Sequence, residues 1–190
     1  MAARPRRPDA STAAVAGLTS QERLQPSLLD RLTDTEPRAG KETVDARVLT
    51  RQQLRAAVLR DLGWLFNTTR AEPSDPERVD PAGEMWRRAA HARRSVLNFG
   101  LPALAGESVG TLDFSEIEAA VRQAVIDFEP RIDPQSLAVE LSADGAMQAH
   151  HNALKLMIRA KMWNQPVPLE LLLSAQVDVE TGNVAVRDLR

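Results

Sequence analysis

The sequence contains no cysteine and no tyrosine. Without cysteine there is no disulfide, no thiolate nucleophile and no Cys-ligated zinc or iron–sulfur centre. Aromatic residues make up 4% of the chain, too few for a stacking platform. Long apolar runs are also missing. Leu169–Leu173 is among the longest, and Glu170 interrupts it. A membrane helix needs about 20 apolar residues in a row, so no membrane insertion is expected. Arg4, Arg6 and Arg7 ahead of Ala13–Gly17 mimic a signal peptide faintly, but the apolar part is short, with Asp9, Ser11 and Thr12 breaking it. A soluble cytoplasmic protein is the expectation. Neither sign of charge dominates. With 24 basic and 26 acidic residues the formal net charge is −2. No global positive field draws nucleic acid or an anionic membrane, which leaves only local basic patches to consider.

What is present is ordinary globular material. Hydrophobic residues are 43% of the 190 and charged residues 26%. That length and balance suit one domain with a tail. Residues 1–20, rich in Ala, Arg and Pro and without apolar period, read as a disordered tail. Residues 21–190 read as the domain.

Helical spacing dominates the first two thirds. Pro26 opens a short turn in which Leu28, Leu29 and Leu32 share a face, and Pro37 and Gly40 mark the following loop. A helix is predicted from about Thr50 to Phe66, with Thr50 as cap and Gln53 as its capping-box partner. Leu54, Val58, Leu62 and Leu65 form its stripe, and Arg51, Arg55 and Asp61 lie off it. Trp64 and Phe66 thicken its apolar end. Prolines and a glycine across 70–83 predict a surface loop. A second helix is predicted from about Pro81 to Leu97, capped by Asp80, with Met85, Ala89 and Val96 facing inward. Its Arg87, Arg88, Arg93 and Arg94 form a basic strip, either a solvated face or a phosphate site. Asn98-Phe99-Gly100-Leu101-Pro102 then breaks the helix. A third helix starts at Asp113, its cap, with Glu116 three residues on. Ile117, Ala120, Val121, Ala124, Val125 and Phe128 make its buried stripe, and Pro130 forces it to stop at Glu129.

After that the period changes to two. Leu137, Val139 and Leu141 predict one strand, and Ala143-Asp144-Gly145 a loop. Leu154, Leu156, Ile158 and Ala160 predict a second strand ending near Trp163. Leu171, Leu173, Ala175, Val177 and Val179 predict a third. Glu180-Thr181-Gly182-Asn183 is a hairpin turn, with Val184–Arg187 returning as a short strand. Helices first and strands last give an α+β fold: N-terminal helices packed on a C-terminal antiparallel sheet of three to four strands.

Candidates for chemistry are few. His150 and His151 are adjacent, with no acidic or His partner at metal spacing, and read as a solvated loop pair. His91 falls in the basic helix and is expected to be exposed. There is no Gly-x-Ser-x-Gly elbow, and Gly100, Gly106 and Gly110 do not spell a phosphate loop. No metal or cofactor is expected. Glu129-Pro130-Arg131 has more content. A Glu at a helix C-terminus meets the negative end of the helix and invites a cation. Through an extended Pro130, residues 129 and 131 leave in similar directions. They are suited either to a local pair or to meeting a partner's charges together.

Five segments together resemble a known family: PSLLDRLTD at 26–34, LRAAVLRDLGWLFNTTR at 54–70, SVLNFGLPALAG at 95–106, AAVRQAVIDFEPRI at 119–132, and LKLMIRAKMWNQPVPLELLLSAQVDVETGNVAV at 154–186. The family is TssE, the small baseplate subunit of bacterial type VI secretion. It is similar to the short wedge protein of contractile phage baseplates, a group often labelled lysozyme-related. The resemblance implies a structural protein and not an enzyme, cytoplasmic at the membrane-proximal baseplate. The implied partners are the wedge proteins TssF and TssG, TssK indirectly, and the sheath proteins TssB and TssC. The family's Glu-Pro-Arg signature, associated with wedge assembly, carries onto Glu129, Pro130 and Arg131. Ala103 stands where the family often has Asp after NFGLP. The alternating terminal strands add a second expectation: the edge at Val184, Ala185 and Val186 pairs with sheath subunits. The rival reading is a small peptidoglycan-degrading enzyme using Glu129.

Overall fold

The computed structural model describes residues 27–33, 38, 49–73, 81–105, 112–143, 153–163 and 167–189. The expected tail at 1–20, the His150-His151 pair, Asp80, Asp144, Gly145, Gly106 and Gly110 lie outside the described residues. The chain divides into two compact units, one within Met1–Ala57 and Asn164–Pro168 and a larger one of Val58–Trp163 and Leu169–Arg190.

In the smaller unit, helix α1 (Leu28–Leu32) starts from a full capping box. Ser27 Oγ accepts from the Asp30 amide, and the Asp30 carboxylate accepts from the Ser27 amide. Two of the orphan amides of a helix start are satisfied this way. Thr50 and Gln53 repeat the device: the Thr50 amide donates to Gln53 Oε1 at 2.8 Å, and the Gln53 amide donates to Thr50 Oγ1 at 3.2 Å. They start helix α2 (Arg51–Phe66), where the spacing of leucines places them.

The larger unit holds the core. Val58, Leu62 and Leu65 of α2 are buried, with Phe66 beside them. Trp64, expected to join them, is 52% exposed because its position turns it to the opposite side. Helix α5 (Phe114–Phe128) contributes Ile117, Val121, Ala124 and Val125. Its cap is Asp113, whose Oδ1 accepts from the amides of Ser115 and Glu116. These bonds hold the Asp113 carboxyl below its ordinary pKa, the Ser115 hydroxyl contributing most.

Between these helices the single expected helix over 81–97 is broken. Helix α3 (Pro81–Arg88) and the short α4 (Ala90–Arg93) are separated at Ala89, and a 3₁₀ turn follows at Val96–Asn98. Ala89 leaves helical angles at φ −106°, ψ 62° and provides no side-chain cap. The break rotates the face: Met85 and Val96 are exposed, while Trp86 is buried.

The C-terminal half forms one antiparallel meander in the order β1 (Ala138–Ala143), β2 (Ala153–Met162), β3 (Leu169–Asp178), β4 (Val184–Asp188). The fold is therefore α+β, helices first and sheet last. The register lines up apolar residues across the strands: Leu141, Leu156, Ala175 and Val186 in one row, Leu154, Val177 and Val184 in the next. This inner face merges with the α2 and α5 stripes into one cluster. Lys155, Arg159 and Gln176 point to the exposed outer face. The antiparallel strands follow sequence order, with Gly182 at φ +74° in the β3–β4 turn.

The Asn98–Pro102 segment folds back on the end of α2. The Leu101 amide donates to the Thr68 carbonyl and the Arg70 amide to the Leu101 carbonyl, both at 2.8 Å. Gly100 sits between these bonds at φ +123°. A Cβ there would lie 2.3 Å from the Thr68 carbonyl oxygen. By contrast, a Cβ on Gly63 of α2 meets nothing within 4 Å.

These two glycines give opposite expectations. Gly100→Ala lowers stability by at least about 2 kcal/mol through clash and backbone strain. Gly63→Ala raises it by about 0.5–1 kcal/mol through helix propensity. Urea midpoints of the two variants against the parent chain check both signs.

Candidate interaction site

The end of α5 is where the signature residues meet. Glu129 is the C-terminal cap of α5, and its amide donates back to the Val125 carbonyl at 2.9 Å. Pro130 is exposed in the turn. The chain then runs beside the end of β2. The Asp133 amide donates to the Lys161 carbonyl at 2.9 Å, and the Trp163 amide to the Arg131 carbonyl at 2.8 Å. Arg131 is thus fixed at its backbone before its side chain makes any contact.

The side chains form the local pair. Arg131 Nε donates to Glu129 Oε1 at 2.6 Å and Nη2 to Glu129 Oε2 at 2.5 Å, a bidentate fork. The Arg131 amide also donates to Glu129 Oε1 at 3.1 Å. A third group joins from α2: Asp61 Oδ2 accepts from Arg131 Nη2. Asp61 in turn holds Arg60, whose Nε donates to Oδ1 at 2.8 Å, and the Arg60 guanidinium lies 5.3 Å over the Trp64 ring. Two guanidinium groups and two carboxylates leave this network with no formal net charge.

Burial divides the labour. The Glu129 side chain is 2% exposed and the Arg131 side chain 21%. Burial lowers the pKa of the Arg131 guanidinium, but its bonds to Glu129 and Asp61 outweigh that and hold it above the ordinary value. Arg131 stays charged. Glu129 is turned inward as the anchor, while Arg131, Asp61 and Arg60 are partly exposed and Pro130 and Trp64 more so. Trp163, bonded to the Arg131 carbonyl, is 65% exposed.

The second expected site is the β4 edge. β4 is the last strand of the sheet order. The Asp178 amide bonds to the Asn183 carbonyl and the Leu189 amide to the Leu172 carbonyl. By the alternation of an antiparallel ladder, Ala185 therefore turns its backbone groups toward β3, and Val184 and Val186 turn theirs outward. Val184 is already engaged. Its amide donates to Asn67 Oδ1 and its carbonyl accepts from Asn67 Nδ2, each at 2.9 Å. At the opposite edge, the Leu141 amide donates to Glu118 Oε1 at 2.6 Å. The outward backbone of Val186 is the part of the expected triplet left for a partner strand.

Asp61, Arg60, Asn67 and Glu118 are the participants that sequence reasoning missed. Asp61 was visible only as a residue off the α2 stripe. It lies 70 positions from Arg131, and no local spacing connects the two. The basic strip also separates into pairs: Arg87 and Arg88 bind Glu84, Arg93 binds Glu72, and Arg94 binds Asp127. His91 is exposed. Among the described residues, no helix is long and apolar enough to cross a membrane.

A family model described as baseplate wedge protein gp25 matches residues 52–167. That span includes the Asp61, Glu129 and Arg131 network and the first two of the four strands, β1 and β2. No curated protein and no solved structure matches the chain.

Glu129→Gln leaves Arg131 short of its buried counter-charge and is expected to cost about 3 kcal/mol. Asp61→Asn costs less, because Asp61 is one-quarter exposed. A double-mutant cycle on Asp61 and Glu129 by urea unfolding is expected to give a coupling of about 1 kcal/mol, reflecting their shared arginine. Strict additivity would show that the two carboxylates do not act through Arg131.

Proposed function

The chain belongs to the TssE-like baseplate wedge protein gp25 family, and we propose that it acts in a bacterial type VI secretion apparatus. In this role it is a structural subunit that associates with other baseplate proteins. It joins a wedge with TssF and TssG, contacts TssK indirectly, and starts polymerisation of the TssB and TssC sheath. Its place is the cytoplasmic side of the membrane-proximal baseplate.

The observation that carries the sheath part is the β4 edge. Val186 points its amide and carbonyl outward beside Val184, whose own outward groups are clasped by Asn67. An edge of that kind accepts an added strand, with main-chain hydrogen bonds supplying affinity. The wedge part is supported by the Glu129–Pro130–Arg131 corner. Its charges are matched internally, so the corner offers a partner a rigid shape and two partly exposed cations, Arg131 and Arg60.

The enzymatic alternative finds little in the same corner. A general acid must reach a substrate oxygen and carry a proton. Glu129 is enclosed, and both its oxygens accept from Arg131.

Val186→Pro removes an outward amide and no bond to β3. The variant is expected to fold, to co-purify with TssF and TssG, and to support no sheath assembly, scored by electron microscopy of cells carrying it. Normal sheaths with the folded variant would remove the edge from the account. Arg131→Ala is expected to weaken co-purification with the wedge proteins by about tenfold, beyond its effect on the urea midpoint.

A further inference from the structure

A cavity of about 540 Å³ lies between the end of α2, the α4–3₁₀ segment and the last turns of α5. Its walls mix charge with carbon: Arg70, Arg93 and Arg94 line it together with Ala90, Ile126 and Phe128. Neither the signature corner nor the β4 edge uses it.

The two carboxylates in its wall are each already bound. Glu72 pairs with Arg93 at 2.7 Å and also accepts from Asn98 Nδ2 at 3.2 Å. Asn98 is buried, and it fixes this side of the wall by also accepting from the Glu72 amide and donating to the Arg93 carbonyl. Asp127, its side chain 7% exposed, pairs with Arg94 at 2.9 Å. Arg70 is the third cation. Its amide is taken by Leu101, but its Nε is buried with no hydrogen-bond partner, and among the described residues it forms no ion pair within 4.0 Å. Burial lowers its pKa. Glu72 pulls it up, and Arg93 pushes it down again. Among the described residues, three guanidinium groups and two carboxylates line the cavity, a surplus of one positive charge beside apolar side chains. An orphaned buried donor of this kind is costly to leave unmet.

We propose that this cavity is a receptor for one carboxylate side chain presented by a neighbouring protein subunit. A single carboxylate neutralises the wall, whereas a phosphate dianion overshoots it. The planar Arg70 fork matches a carboxylate's two oxygens. Ile126 and Phe128 cover the methylenes that carry such a group, which an isolated inorganic ion does not need. The identity of the neighbour rests on the baseplate reading, while the cavity's charge does not.

The full-length chain is titrated with sodium butyrate, and separately with sodium phosphate, at constant ionic strength and neutral pH. The NMR reporters are the Asn98 side-chain amide and the Gly100 amide. Butyrate is expected to shift both in a saturable way, with phosphate weaker. Arg70→Lys, which keeps the charge and loses the fork, is expected to weaken butyrate by about tenfold. Arg87→Lys, on an exposed ion pair, is expected to leave it unchanged. No saturable shift, an equal response to both anions, or an unaltered response in Arg70→Lys overturns the receptor. A second arm compares co-purification of baseplate proteins with the parent chain and Arg70→Lys. An equal yield overturns the claim that a neighbour fills the cavity. A parent chain that co-purifies with no baseplate protein instead removes the baseplate reading, and the titration then decides the cavity alone.

Discussion

Arg131 holds three parts of the chain at one point. Its fork closes on Glu129 at the end of α5, and the same guanidinium reaches Asp61 on α2. Its backbone is tied to the last residues of β2. The helix layer and the sheet therefore share a fixed corner as well as an apolar interface. Apolar contact alone is non-directional and tolerates sliding. A bidentate ion pair does not, because it fixes distance and plane together. The location follows from a local conflict. Pro130 ends α5 and leaves Glu129 at the negative end of the helix, where a carboxylate is unfavourable without a cation. Arg131 resolves that conflict two residues later, and Asp61 keeps the arginine charged and oriented.

The sheet edges follow a similar economy. Each is clasped once by a polar side chain from a helical segment: Asn67, just past α2, at β4, and Glu118 of α5 at β1. Both clasps come from the layer that covers the inner face. Helix placement and edge availability are thus linked. A shift of α2 relative to the sheet would also withdraw Asn67 from Val184.

Period-two and period-3.6 patterns made most of the architecture legible. The four strands, the α2 stripe and the α5 stripe all fall where apolar spacing places them, because burial on one face is what those periods encode. The Thr50 and Asp113 caps were readable for the same reason, being local chemistry. The reading failed where tertiary contacts decide. Pro81–Leu97 has helical composition throughout, but the chain bends at Ala89 and again at Ser95 to bring Asn98 into its buried contacts with Glu72 and Arg93. Trp64 is apolar by composition, yet it lies on the outer side of α2 over Arg60. The Glu129–Arg131 pair was legible from two residues and a proline. Asp61, Asn67 and Glu118 were not, since each reaches its partner across a long loop of sequence.

The paired clasps bear on how the protein behaves when it is alone. Bare β rims zip copies of a chain into ribbons, because each new copy finds the same rail as the last. Here one rail is interrupted at Leu141 and the other is only a short stretch beyond Val184. A second molecule of the same kind finds few free rungs on either rim among the described residues. Helix-borne side chains at both rims in this way work against runaway growth of the molecule on itself.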